Sequence, residues 1–336
     1  MIDLFRKLLA TLLKFLRSFL AENPKLHALL YDMSNKEEFG NLYEHEKMLA
    51  DAVRMECYRK AIQKQIGPDD VVLDLGTGTG ILSFLAAAKK AKKVYAIDHS
   101  DFIDIARKIA AHNKIENIEF FQSNSRNFNP DVEFDVIIHE QIGDYLFNEN
   151  MIQNILDLKT RLLKPEGRIM PGRFELFLEP TNLAEPFKTP FIWENQLYGI
   201  DFSFLKDHSE ALEAFKPQDY KQIWLKPGAV KQFLCEISPI LTFDLNTLQS
   251  EKEIAHSLEI SRQVVKPGSF DGFCLFFKVI FDAELSIDTS PLATNTHWGN
   301  CFFRIESRQC SSGEAIHFTF TMQDFLNIKT WEVFIR

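Results

Sequence analysis

Two carboxylates, Glu140 and Glu149, stand nine positions apart in the stretch HEQIGDYLFNENM, residues 139–151. They follow the apolar run Val136-Ile137-Ile138, which reads as a buried strand, and Gly143 turns the chain between them. Two carboxylates brought to one place repel each other and raise a pKa. A guanidinium between them relieves the repulsion, because it is planar, carries five donors and stays protonated up to pKa values above ~12. Paired N–H···O bonds bias its charge towards the bonded nitrogens, and the remaining nitrogen regains lone-pair character. On residue chemistry alone, the competing reading is a loop with two solvated charges.

A second constellation is LDLGTGTG, residues 73–80. Asp74 lies in a predicted strand, and Gly76, Thr77, Gly78 and Gly80 form the turn after it. The glycines let a ligand approach the backbone closely, and the helix starting at Ile81 points its amides there. Asp98 ends the next strand, where a carboxylate accepts hydrogen bonds from ribose hydroxyls. A dinucleotide fingerprint needs GxGxxG, and Ile81 occupies its third glycine position. GxGxG with a preceding acid suits S-adenosylmethionine, which has no pyrophosphate to cradle.

These residues must be positioned by strand ends. VVLDLG, KVYAID, IEFFQ and FDVIIHE read as strands, and ILSFLAAAKKA and DFIDIARKIAAHN as helices between them. The alternation predicts a Rossmann-like α/β domain with a parallel, doubly wound sheet over residues 44–172, entered by one helix over 44–62. From residue 173 to 336, apolar and polar residues alternate in RFELFLEP, FCLFFKVIFDAEL, NCFFRIESRQC, IHFTFTM and KTWEVFIR. That pattern predicts an all-β sandwich or barrel, interrupted by a helical insertion around residues 191–215.

The bulk properties set outer bounds. A chain of 336 residues suits two domains, and a net charge of -9 argues against non-specific nucleic-acid binding while suiting cationic ligands. Five scattered cysteines form no CxxC pair, so no metal site and no disulfide framework is expected, and a reducing cytoplasm is the simple setting. Residues 1–43 begin with an amphipathic helix in which Arg6, Lys7, Lys14 and Arg17 interrupt the apolar positions. It is too short and too charged to span a bilayer and has no signal-peptide cleavage site. Docking on its own protein or a subunit is expected, with membrane-surface contact as the alternative.

The glycine loop, the two-glutamate loop and Thr296-His297-Trp298 together resemble a protein arginine N-methyltransferase, a class I S-adenosylmethionine-dependent enzyme, from about Tyr31 to the C-terminus. The resemblance implies that His45 and Met48 of HEKMLADAVR line the cofactor pocket and that Arg54 binds the cofactor's carboxylate. It implies an Asp51–His297 dyad across the two domains, with Trp298 both packing the barrel and lining the site. Glu140 and Glu149 take the clamping positions, and Tyr31 keeps the first ring of a Tyr-Phe-x-x-Tyr motif whose second ring is replaced by Asn35. Ser125 and Arg126, in NSRNF, fall near the glutamate that bonds the adenine amino group in relatives, a role no arginine can fill. WENQLYGIDFSFLKD, residues 193–207, resembles the dimerisation arm, placed at about 185–220, and implies a head-to-tail homodimer. Met48 and Met151 fall where members making asymmetric dimethylarginine carry methionines. Gln141 and Asp144 depart from the family's loop, and His139 replaces a small residue beside Glu140, where it is expected to retune that carboxylate. The implied reaction is methylation of arginine in protein. The alternatives are a small guanidino or amino substrate such as free arginine, and a catalytically silent scaffold.

Overall fold

The computed structural model describes residues 41–189, 191–207 and 221–336. The basic N-terminal helix, Tyr31, Asn35 and the second half of the expected insertion lie outside these residues.

Two helices, α1 (Leu42–Ala50) and α2 (Ala52–Gln65), occupy the stretch that apolar spacing predicts as one. The break falls at Asp51, which is extended (φ -70°, ψ 94°) and accepts the Arg54 amide at 2.9 Å as the N-cap of α2. A short carboxylate that bonds nearby backbone donors favours a cap over a helix interior.

The parallel sheet contains β1 (Val71–Leu75), β2 (Lys93–Asp98), β3 (Ile118–Gln122), β4 (Phe134–His139) and β5 (Leu163–Met170), in the order β3-β2-β1-β4-β5. The helices α3 (Ile81–Ala88), α4 (Phe102–His112) and α5 (Met151–Leu162) supply crossovers that parallel strands require. Val72, Leu73, Val136, Ile137 and Ile138 are fully buried, which explains why these strands are continuously apolar. The strand order reverses between β1 and β4. A crevice opens at the carboxyl ends of strands on either side of such a reversal. Gly76 follows β1 and Glu140 follows β4, so both constellations reach the same crevice.

After β6 (Arg173–Leu183) comes the insertion, and its described part is not mainly helical. It contains a tight hairpin of β7 (Gln196–Leu197) and β8 (Ile200–Asp201), then a single helical turn, α6 (Phe204–Asp207). Tyr198 (φ 52°) and Gly199 (φ 79°) form a two-residue turn whose left-handed backbone matches hairpin twist.

The remaining strands are antiparallel: β9 (Gln222–Leu225), β10 (Val230–Phe233), β11 (Leu241–Asp244), β12 (Ser257–Gln263), β13 (Gly268–Ile280), β14 (Ser286–Asp288), β15 (Asn300–Cys310), β16 (Ala315–Met322) and β17 (Trp331–Ile335). β6, β13 and β15 form the middle of a seven-stranded sheet, and β12, β16 and β17 form a three-stranded one. Aromatic rings close the sheets on each other, with Phe273 of β13 and Phe318 of β16 at a centroid distance of 4.5 Å. Much of the abundant phenylalanine fills this core.

Candidate active site

The stretch between β4 and α5 is a packed loop. Leu146 takes a left-handed conformation (φ 83°) and donates its amide to the Gly143 carbonyl at 2.9 Å. Leu146 and Phe147 are buried, and Phe147 stacks on Phe243 of β11 and on Phe325 at 5.7 and 5.0 Å. This apolar pair pins the loop to the β domain, with Glu140 at one end and Glu149 at the other. Both glutamates line a single cavity of about 390 Å³, a size typical of ligand sites. The Glu140 side chain is only 11% exposed, so it is no solvated loop charge.

Glu140 is held from behind. Arg54 Nη2 lies 2.6 Å from Glu140 Oε2, and Arg54 Nη1 donates to the Met48 carbonyl at 2.9 Å. Burial alone would lower the Arg54 pKa, but the neighbouring Glu140 carboxylate outweighs it and the net shift is upward. The resemblance assigns this guanidinium to the cofactor's carboxylate. In the structure it is turned onto Glu140 and lines neither of the site's two cavities. The pairing leaves Glu140 Oε1 without a partner among the described residues.

Three contacts bring the β domain onto the crevice. Asp51 Oδ2 accepts from the His297 amide at 2.8 Å and lies 2.9 Å from His297 Nδ1. Burial pushes the Asp51 pKa up, but hydrogen bonds from the His297 side chain and the Arg54 and His297 amides bring it down to about 2. Trp298 is buried and donates its indole N–H to the Ile142 carbonyl at 2.9 Å, inside the glutamate loop. Tyr145 donates its hydroxyl to the Leu326 carbonyl at 2.6 Å. His297 and Trp298 both line the main cavity.

The glycine loop divides its work. Asp74 is 1% exposed and lies beneath the loop, where its Oδ2 accepts from Thr77 Oγ1 at 2.7 Å and Ser83 Oγ at 2.6 Å. Burial raises its pKa against those hydrogen bonds. The Gly76 and Thr77 amides both donate to the Ile97 carbonyl at 3.0 Å. Asp74 and Thr77, expected among the cofactor contacts, brace the loop from beneath and do not wall the cavity. Gly80 also lies off the cavity: a Cβ there would meet the Phe84 ring at 2.5 Å, so its bareness serves helix packing. Gly76 and Gly78 do face the cavity. Gly78 has φ 53°, and a Cβ on it would lie 2.7 Å from the ring of His45, which itself packs on Phe102 at 3.9 Å.

Asp98 accepts from the Gly78 amide at 2.8 Å and from the Ser100 amide and hydroxyl at 2.8 and 2.7 Å. Three bonds leave a carboxylate with capacity for one more. Met48 lines the cavity, whereas Met151 is fully buried and does not.

A smaller cavity of about 40 Å³ adjoins the first and is walled by Ser125, Asn124, Gln141 and Asn154 among others. Arg126 is exposed on the short turn after β3 and is not part of this wall. Its amide is capped by Asn124 Oδ1 at 3.0 Å. The expected tuning of Glu140 by His139 also fails. His139 is fully buried, its Nε2 lies 2.9 Å from the Pro171 carbonyl, and burial pushes its pKa down to about 4, so it is neutral. Sequence reasoning missed Asn154, whose only signal is its place one helical turn beyond Asn150 at the start of α5.

Two family profiles match the chain: "Methyltransferase domain" over residues 66–212 and "Arginine methyltransferase oligomerization subdomain" over residues 177–334. Protein arginine N-methyltransferase 6 of Danio rerio is 32% identical over 282 residues, covering 82% of this chain and 79% of the relative. Protein arginine N-methyltransferase 1 of Schizosaccharomyces pombe is 30% identical over 289 residues, covering 82% and 81%. Among solved structures, the Trypanosoma brucei PRMT1 enzyme-prozyme heterotetrameric complex with AdoHcy aligns with a TM-score of 0.74 at 26% identity, covering 88% of this chain and 92% of that one. Arabidopsis thaliana Protein Arginine Methyltransferase 10 shares the fold, with a TM-score of 0.73 at 23% identity and the same coverage of 88% and 92%.

Proposed function

Because the chain belongs to the protein arginine N-methyltransferase family, we propose that it transfers methyl from S-adenosylmethionine to a guanidino nitrogen of arginine in protein. One observation carries the reading: Glu140 and Glu149 line the same cavity as Gly76 and Asp98. A guanidinium clamp and a nucleoside site thus share one enclosure.

Bound S-adenosylmethionine supplies an electrophilic methyl on a sulfonium. Glu140 offers Oε1 to the substrate while Arg54 holds Oε2, so the carboxylate cannot rotate away. Glu149 contributes the second carboxylate from the other end of the loop. Together they orient the guanidinium and draw its charge to the bonded nitrogens, leaving the third free to attack. Holding nucleophile and methyl in line supplies large effective molarity. His297, anchored by Asp51, stands on the same wall to accept the proton that the methylated nitrogen releases.

The reading extends to a head-to-tail homodimer through the arm. Trp193, Tyr198, Ile200 and Phe204 are large apolar side chains exposed along it, and the oligomerisation profile spans it. A second copy covers them in this reading. A cytoplasmic setting goes with it, on five unbonded cysteines. Light scattering on the protein and on a Trp193→Ser/Phe204→Ser variant tests the dimer, and a wild-type monomer refutes it.

The activity is tested by incubating the protein with methyl-labelled adenosylmethionine and a cell lysate, and separately with the lysate's small-molecule fraction. Label in protein, released as methylarginine on hydrolysis, supports the proposal. Label confined to small molecules overturns the protein substrate, and no label in either leaves a silent scaffold.

A further inference from the structure

The smaller cavity opens from the main one past Asp98 and shares Gly76, Asp98 and Gln141 with it. Asp98, at the end of β2, is where a ribose bonds. The space beyond, between the end of β3 and the first turn of α5, receives whatever ring that ribose carries. Asn154 projects into it from α5. It is 9% exposed, and its Nδ2 donates to Gln141 Oε1 at 3.2 Å. The remaining amide atoms, Asn154 Oδ1 and Gln141 Nε2, have no hydrogen-bond partner among the described residues. The wall thus presents one acceptor and one donor on two joined carboxamides. Turning both amides over exchanges their places and still leaves one of each. An aminopurine edge, with an exocyclic NH₂ beside a ring nitrogen, is the complement, and carboxamides pair with adenine in this bidentate way.

We propose that the Asn154–Gln141 pair reads the amino edge of the cofactor's adenine, with one amide accepting from the 6-amino group and the other donating to the adjacent ring nitrogen. The inference rests on the adenosylmethionine reading and names the residues that select its base. It also ties base recognition to the clamp. The Asn154 amide donates to the Asn150 carbonyl at 3.0 Å, and Asn150 directly follows Glu149. A ring seated on Asn154 therefore packs on the first turn of α5, whose N-cap is Asn150.

The test is calorimetric titration of adenosylhomocysteine, and of its analogue with hydrogen in place of the 6-amino group, into the full chain. Wild type, Asn154→Leu and Gln141→Leu are compared. Wild type is expected to prefer the amino compound by roughly tenfold, the discrimination of a bidentate amide–adenine pair. The variant that loses the accepting amide drops the preference to about one with little change for the analogue, and the variant that loses the donating amide binds both compounds more weakly. Gln141 is only half-buried, so its variant reports even where Asn154→Leu fails to fold. A Gln141→Leu variant with both the preference and the affinity for each compound unchanged, with wild type binding adenosylhomocysteine normally, overturns the proposal and leaves the cofactor standing. Wild type binding neither compound overturns the cofactor reading itself.

Discussion

Arg54 and Glu140 form a buried ion pair, and their coupling can be measured. Arg54 is 5% exposed and the Glu140 side chain 11%, with 2.6 Å between the charged atoms. Replacing Arg54 by Met keeps most of its volume and leaves Glu140 facing the cavity without its cation. Breaking a buried pair by removing one partner costs about 3–5 kcal/mol, because the other charge stays desolvated. Glu140→Gln removes the anion and leaves the guanidinium in the same position, at a cost in the same range. In the double variant neither charge is stranded, so its cost falls short of the sum, by roughly 2 kcal/mol within the usual coupling range of neighbouring groups. Urea unfolding of the four proteins, followed by circular dichroism, gives the cycle directly. Single-variant costs that add within about 0.5 kcal/mol refute the pairing and return Arg54 to the cofactor's carboxylate. An Arg54→Met variant that keeps full stability but loses adenosylhomocysteine binding refutes it independently.

Asp51→Asn separates two duties, since asparagine caps helices as well as aspartate does. The exchange also removes the charge that accepts from the His297 amide and ring, so stability should fall by roughly 2 kcal/mol. Turnover should fall by roughly tenfold or more, as expected for a weakened proton acceptor; a thermal melt and a rate assay check both. Gly78→Ala drives a methyl into the His45 ring at a left-handed φ, so it should weaken adenosylhomocysteine binding; adding His45→Ala recovers only the steric part, as titration will show. Two buried groups pull the pH profile of stability in opposite directions. His139, pushed by burial down to about 4, contributes stability that is full above its ordinary 6.5 and is lost as pH falls towards 4, on the order of 3 kcal/mol. Glu179, pushed by burial up to about 7 against its Ser238 and Arg262 bonds, does the reverse: its contribution is full below 4.5 and is lost as pH rises through 7. Unfolding free energies between pH 4 and 8 should therefore fall more steeply towards acid in Glu179→Gln, and more steeply towards base in His139→Phe, than in wild type.

The parallel sheet and the glycine loop were legible because their signals are local: continuous apolar strands, a helix after each, and glycines at the turn. The two glutamates were legible as residue types after a buried strand, and residue chemistry alone left a solvated loop as the alternative; that both line one cavity comes from the structure. What was not legible is where side chains point once distant segments meet. Asp51 and His297 lie 246 positions apart, and no spacing rule links them; only the family resemblance put them together. Arg54 sits in a helical register that fits either a ligand role or an ion pair, and the choice depends on where β4 ends. His139 looks like a neighbour of Glu140, yet strand alternation sends its ring to the opposite face, towards Pro171. In the described part of the arm, apolar residues spaced through a two-residue hairpin imitate a short helix.

In the proposed mechanism Glu149 acts on the substrate's guanidinium and not on the fold or the cofactor. Glu149→Gln keeps the shape of the side chain and removes its charge. Turnover with labelled adenosylmethionine and an arginine-containing protein should fall by roughly 10²-fold or more, the scale of removing one preorganised electrostatic contact, while adenosylhomocysteine affinity stays within about twofold. Wild-type turnover by this variant, or a loss confined to cofactor affinity, contradicts the clamp.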